Sequence, residues 1–127
     1  MVFDASVLIA HLNPADVHHL RASSLLRRLV ADEFVASPLT LAEALVAPSR
    51  AGAADRAAGL LRELAIKTVE LTAESPLRLA TLRLDTGLKL PDCYVLHAAE
   101  QVDAAVATFD ARLAQAARGR GIEVVTN

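Results

Sequence analysis

Short apolar runs with β-strand character alternate along this chain with longer segments of helical pattern. The gaps between the runs are roughly a dozen residues or longer, which is the minimum for a crossover between parallel strands. The five runs are Met1–Phe3, Glu33–Ser37, Ile66–Leu71, Ala104–Phe109 and Ile122–Thr126. Strands that alternate with helices predict an α/β layer fold with a mostly parallel, five-stranded central sheet.

Four of the segments between the strands have a recognisable helical pattern. In the segment His18–Val30, the apolar stripe is formed by Leu25, Leu26, Leu29 and Val30. In the segment before Pro91, the apolar stripe is formed by Leu77, Ala80, Leu84 and Leu88. The segments Asp92–Val102 and Asp110–Arg118 are the other two predicted helices.

The length and composition narrow the class of protein further. A chain of 127 residues fits a single domain, predicted to span residues 1–127. Only 3% of the residues are aromatic, so the core must be aliphatic and a stacking platform for single-stranded nucleic acid is not expected. The single cysteine, Cys93, excludes a disulfide framework and is typical of a reducing compartment, so we expect a cytoplasmic protein. We expect neither a membrane span nor a secretory signal.

Four carboxylates lie in apolar surroundings, whereas most of the other acids lie at polar positions. They are Asp4, Glu43, Asp92 and Asp110. Each has a plain structural alternative, because Asp4 and Asp110 are placed to cap helices and Asp92 falls in a first helical turn that favours negative charge.

Glu43 allows two local interpretations. Thr40 and Glu43 match a capping box, in which Glu43 has a purely structural role. Ser37 and Pro38 are an equally good helix start, and Glu43 would then lie a turn and a half into an apolar helix. A charge at that position is costly unless it has a partner.

The four acids are predicted to share one edge of the sheet. Asp4 and Asp110 end strands, while Glu43 and Asp92 lie near the starts of helices, and in a parallel sheet these ends lie together. Carboxylates gathered there repel one another unless a hard cation neutralises them, and Mg²⁺ and Mn²⁺ prefer such oxygen ligands. The net charge of −2 does not favour nucleic-acid binding, but sequestration of these acids by a metal weakens that objection.

The sequence resembles the PIN-domain ribonucleases, and within them the small toxins of bacterial VapBC toxin–antitoxin pairs. The resemblance spans residues 4 to 113. The matching segments are Asp4-Ala-Ser-Val-Leu-Ile-Ala, Ser37-Pro-Leu-Thr-Leu-Ala-Glu43, Leu90-Pro-Asp92 with the following Ala98-Ala99, and Ala107-Thr-Phe-Asp110-Ala-Arg-Leu. Cys93 and Tyr94 depart from the small or aliphatic residues that are common in the family at those positions.

The resemblance implies a three-layer α/β/α sandwich with strand order 3-2-1-4-5 and a Mg²⁺- or Mn²⁺-dependent endoribonuclease. Asp4, Glu43, Asp92 and Asp110 would be the metal ligands and catalytic residues. It also implies a homodimer, an RNA substrate and a cognate VapB-type antitoxin that covers the site.

Other residues near the predicted site have two interpretations each. Ser6 and Thr108 resemble hydroxyl positions near the family's metal, and local turn or cap roles explain them equally well. Arg112 could contact phosphate or belong to a solvated face. Glu100, with Asp103, is the alternative acid if one of the four assignments is wrong.

Two other classes of function stay open. One is a binding module that keeps an inactive site, which the sequence alone does not exclude. The other is a signalling receiver domain, which needs an acceptor Asp after the third strand and a Lys near the fifth. The third strand is instead followed by Thr72-Ala73-Glu74 and the fifth by Asn127, so this pattern is unfavourable.

Overall fold

The computed structural model describes all residues, 1–127, and contains one five-stranded parallel sheet flanked by helices, as predicted. The strands are β1 (Val2–Phe3), β2 (Val35–Ala36), β3 (Lys67–Thr68), β4 (Val106–Ala107) and β5 (Val124–Val125). Each lies within a predicted run. The helices are α1 (Ala5–Leu12), α2 (His19–Arg28), α3 (Pro38–Arg50), α4 (Ala54–Glu63), α5 (Ser75–Thr86), α6 (Leu90–Val102) and α7 (Ala111–Gly119). None of these helices is both long and apolar enough to cross a membrane.

The strand order is β3-β2-β1-β4-β5, which confirms the order implied by the resemblance. The chain leaves β1 toward β2 and β3 on one side and later returns to β4 on the other side. Phe3 pairs with Ala107, so the carboxyl ends of β1 and β4 lie next to each other at this topological switch point. Open α/β sheets bind their ligands at such points.

The two faces of the sheet bury two separate apolar clusters, because neighbouring residues of a strand point to opposite faces. Val2 and Val106 face a cluster with α5, α6 and α7. Phe3 and Ala107 face a cluster with the helices α1 to α4. The core is aliphatic as expected, apart from Phe3 and Phe34, which pack edge to face with ring centroids 4.8 Å apart.

Two details of the predicted helical faces are wrong. In α5 the buried residues are Ser75, Leu79 and Leu82, whereas Leu77 and Leu84 are 76% and 86% exposed. The stripe predicted for the segment His18–Val30 includes Val30, but α2 ends at Arg28 and Val30 is exposed in the following turn. The leucines of that stripe are on the buried side as predicted, Leu25 and Leu26 fully and Leu29 partly buried.

Candidate active site

Asp4 lies at the carboxyl end of β1, where only 7% of its surface is exposed. It occupies the N-cap position of α1, yet its side chain accepts no hydrogen bond from that helix. Its Oδ2 accepts hydrogen bonds from Ser6 Oγ at 2.7 Å and from Thr108 Oγ1 at 2.8 Å. Oδ1 makes no hydrogen bond. The capping interpretation of Asp4 is therefore wrong, and its carboxylate is oriented by two hydroxyl groups instead.

Ser6 and Thr108 also fix the backbone around this carboxylate. The Phe109 N–H donates to Ser6 Oγ at 3.0 Å, and the Asp110 N–H donates to Thr108 Oγ1 at 3.0 Å. Both hydroxyls thus link the end of β1 to the loop after β4. This network holds the position of Asp4 relative to Asp110.

Glu43 lies in the second turn of α3, which begins at Ser37 and Pro38 as one of the two interpretations predicted. Ser37 Oγ accepts a hydrogen bond from the Leu39 N–H at 3.2 Å. The capping-box alternative is wrong, because Thr40 is a buried residue of the first turn and its hydroxyl has no hydrogen-bond partner. Burial raises the pKa of the half-buried Glu43 carboxyl, and the charges of Asp4 and Asp92 raise it further.

Asp92 lies in the first turn of α6, half-buried and facing the same group of acids. Burial raises the pKa of its carboxyl, and the neighbouring Asp4 and Asp110 raise it further. Arg112 and Lys89 act in the opposite direction on this pKa, so both cations lie close to the carboxylate. The sequence did not single out Lys89. Its position two residues before Pro91 and three before Asp92 was the available signal.

Asp110 caps the N-terminus of α7, as its position in the sequence suggested. Its Oδ1 caps α7 by accepting a hydrogen bond from the Leu113 N–H at 2.9 Å. The residue is exposed, and its Oδ2 makes no hydrogen bond. A capping carboxylate of this kind can still present its second oxygen to a ligand.

The charges of the acids act on one another, but their side chains do not converge on one point. No three His, Cys, Asp or Glu side chains converge closely enough to surround an ion. The chemistry of the donors nevertheless fits a hard divalent cation, because all four are carboxylates. Mg²⁺ retains several waters and is commonly bound by only one or two carboxylates directly.

The alternative acids lie elsewhere and have other roles. Glu100, near the far end of α6 from Asp92, receives a bidentate contact from Arg78 at 2.8 and 2.9 Å and a further bond from Arg120 at 3.2 Å. Asp103 ends α6 in the left-handed region with φ 49°. Neither residue acts on the pKa of Glu43 or Asp92.

Two other reactive side chains, Cys93 and His97, are buried in the core. Cys93 is fully buried, and burial raises the pKa of its thiol. His97 is also buried and shares a hydrogen bond of 2.8 Å with Ser75 Oγ, so it connects α6 to the start of α5. Burial lowers the pKa of His97.

Comparisons with known proteins identify one relationship. The family model described as PIN domain matches residues 1–119, which is most of the chain and includes all four acids. No curated protein matches the sequence.

Proposed function

The chain belongs to the PIN-domain family, whose members are generally nucleases, and we propose that it is a Mg²⁺- or Mn²⁺-dependent endoribonuclease. The observation that carries this proposal is the grouping of partly buried carboxylates at one edge of the sheet. Burial raises the pKa of Glu43 and of Asp92, and the charges of neighbouring acids, Asp4 and Asp92 for Glu43 and Asp4 and Asp110 for Asp92, raise it further. Repulsion among carboxylates at a ligand-binding edge is relieved most directly by a divalent cation. We further propose that residues 1–127 form one PIN-like domain.

In this proposal, Asp4, Glu43, Asp92 and Asp110 hold the cation directly or through water. When bound, the cation lowers the pKa of a coordinated water and neutralises charge on the attacked phosphate. Ser6 and Thr108 keep Asp4 in position. Glu43 is the best candidate to accept a proton from the attacking water, because its raised pKa brings it closer to the working pH.

Cleavage of RNA with and without divalent cations tests this proposal. We expect hydrolysis in Mg²⁺ or Mn²⁺ and none after addition of EDTA, because the protein offers no Ser–His or Cys–His nucleophile at this edge. Cleavage that continues after rigorous chelation would contradict the metal mechanism.

We also propose the biological setting that the resemblance implies. The protein acts in the cytoplasm as the toxin of a type II toxin–antitoxin pair, forms a homodimer and is neutralised by a VapB-type antitoxin. The four motifs, in the same order as in the small VapC-type toxins, support this assignment. A small antitoxin-like reading frame directly upstream, whose product co-purifies with this chain, is the expected finding. Light scattering on the purified chain tests the dimer.

The alternatives differ in their measurable consequences. An inactive PIN-like binding module would bind RNA or a partner and cleave nothing at any cation concentration. The receiver alternative loses its structural basis, because the order β3-β2-β1-β4-β5 differs from the 2-1-3-4-5 order of that fold.

A further inference from the structure

A groove with a volume of about 500 Å³ lies between the end of α5 and one face of α7. We call it the α5–α7 groove. Its polar lining residues are Asp85, Thr86, Arg112, Gln115 and Arg120. The α7 residues of the lining, Arg112, Gln115, Ala116 and Gly119, have the i, i+3, i+4, i+7 spacing of one helix face. The volume is within the range of sites that hold a single small molecule.

The groups available to a ligand in this groove are few and specific. Arg112 and Gln115 are exposed and make no hydrogen bond or ion pair within the protein. The Thr86 hydroxyl is already used, since it donates to the Leu82 carbonyl at 2.6 Å and accepts from the Leu88 N–H at 3.2 Å. The groove therefore offers one unpaired guanidinium and one unpaired amide.

Arg120 differs from Arg112 because its guanidinium is already paired with two carboxylates of the protein. Its Nε donates to Glu100 at 3.2 Å, and its Nη1 lies 4.0 Å from Asp85. A guanidinium held at its edges in this way can still present a planar face to a base. No aromatic side chain lines the groove, so a base there would stack on a guanidinium.

Arg112 links the groove to the acids. It lies in the first turn of α7, two residues after Asp110, and its guanidinium lowers the pKa of Asp92, so a phosphate bound to Arg112 would lie near these carboxylates. Arginine binds phosphate in a bidentate manner, and amides form hydrogen bonds with base edges. These are the two kinds of contact that a nucleotide requires.

We propose that the α5–α7 groove binds one nucleotide of the RNA strand next to the cleaved phosphodiester. Arg112 binds the backbone phosphate, Gln115 hydrogen-bonds the base, and the guanidinium plane of Arg120 supports it. The inference rests on the proposed nuclease function, since it assigns a subsite for the substrate of the same site.

Three substitutions on α7 test the subsite. Arg112→Gln removes the phosphate contact, Gln115→Leu removes the base contact at similar volume, and Arg118→Gln is the matched control. Arg118 is exposed on the same helix but does not line the groove. Binding is measured with a fluorescent, uncleaved RNA oligonucleotide on Asp4→Asn proteins, and cleavage on proteins with Asp4 intact. Circular dichroism verifies that each variant is folded.

For Arg112→Gln we expect RNA affinity to fall roughly tenfold or more, since it loses a charge-assisted bond to phosphate. The slope of log affinity against log salt concentration should also decrease, by about the amount that one phosphate contact contributes. For Gln115→Leu we expect a changed nucleotide preference beside the cleaved bond. Arg118→Gln should resemble the parent protein in both measurements.

The results separate this subsite from the proposed function. If the parent cleaves RNA and Arg112→Gln behaves like Arg118→Gln, the subsite is wrong and the nuclease proposal stands. If nothing cleaves but the affinity for uncut RNA depends on Arg112 and not on Arg118, the groove stands as an RNA-binding site and the nuclease proposal is wrong. If no variant or parent binds RNA, both are overturned.

Discussion

Asp4 occupies the N-cap position of α1, but its side chain does not cap the helix. A substitution of Asp4 therefore tests the chemical role of its carboxylate without removing a helix cap. For Asp4→Asn we expect the melting temperature to be unchanged or raised in the absence of metal. The amide oxygen can still accept bonds from Ser6 and Thr108, and one repelling charge is gone. RNA cleavage should fall by orders of magnitude, because a carboxylate ligand is lost.

Asp16→Asn is the matched control for this substitution. Asp16 is partly exposed and its Oδ1 accepts a bond from the His18 N–H at 2.8 Å, a local role that Asn can also fill. Its cleavage rate should equal that of the wild type. A wild-type rate in Asp4→Asn would show that the assigned site is wrong.

Thr108 is the residue whose hydroxyl joins Asp4 to the backbone of Asp110. Thr108→Val keeps the shape but leaves a buried carboxylate oxygen with one donor fewer, so we expect a loss of stability of about 1–3 kcal/mol. Because Thr108 positions Asp4, cleavage should also fall about 10–100-fold, with weaker activation by Mg²⁺. Urea unfolding and a Mg²⁺ titration of the cleavage rate measure the two effects.

Thr81→Val provides the comparison for Thr108→Val. The Thr81 hydroxyl donates to the Leu77 carbonyl within α5, far from the acids along the chain. We expect its removal to leave the Mg²⁺ dependence of cleavage unchanged. A Thr108→Val protein that loses stability but keeps wild-type Mg²⁺ activation would reduce Thr108 to a structural role.

At the scale of whole elements, Glu100 connects three helices. It accepts bonds from Arg78 of α5 and from Arg120, which directly follows α7. We expect Glu100→Gln to destabilise the protein by about 1–2 kcal/mol, because two partly buried guanidinium groups lose a charged acceptor. The cleavage rate at saturating RNA should be retained, since Glu100 has no part in the acidic group and acts on the substrate only through Arg120.

The control for Glu100→Gln is Glu33→Gln, which breaks the exposed pair with Lys67. Exposed pairs contribute less than about 1 kcal/mol, so this change should have little effect in urea unfolding. Loss of cleavage in a folded Glu100→Gln protein would instead restore Glu100 as a catalytic candidate.

The order of elements was readable from the sequence because it depends on local patterns of strands, helices and their spacing. The buried face of α5 could not be identified from such local patterns. Leucines stand at 77, 79, 82 and 84, so two faces of the helix are apolar. The face that is buried includes Ser75, a polar residue whose partner His97 lies on another helix. Periodicity cannot identify a face that is selected by a contact between distant segments.

The same limit applies to the site. Topology alone predicted that the four acids share one edge, because strand ends and helix starts lie together in a parallel sheet. Whether each acid caps a helix depends on side-chain contacts made across the fold. Asp4 is held by Thr108, 104 residues away in sequence, whereas Asp110 caps its own helix. These two residues look alike in the sequence and differ only in the folded chain.

The whole molecule should reflect the repulsion at this edge in its dependence on pH. Glu43 and Asp92 have higher pKa values in the folded protein than their ordinary values of 4.5 and 3.8. The folded state therefore binds more protons than the unfolded state once the pH rises above these values. Stability contributed by the protonated carboxyls is present at lower pH and is lost as the pH rises through the folded pKa values.

The test is to measure the free energy of unfolding of the wild type and of the double variant Glu43→Gln/Asp92→Asn in EDTA, from pH 4 upward. The wild type should lose stability relative to the double variant as the pH rises, because only the wild type acquires the repelling charges. A surface double variant, Asp16→Asn/Glu33→Gln, should parallel the wild type. Mg²⁺ at ~100 times its Kd should stabilise the wild type by about 2.7 kcal/mol and the site variant far less. Parallel profiles for all three proteins, with no effect of Mg²⁺ on any, would mean that the acids neither repel one another appreciably nor bind the cation.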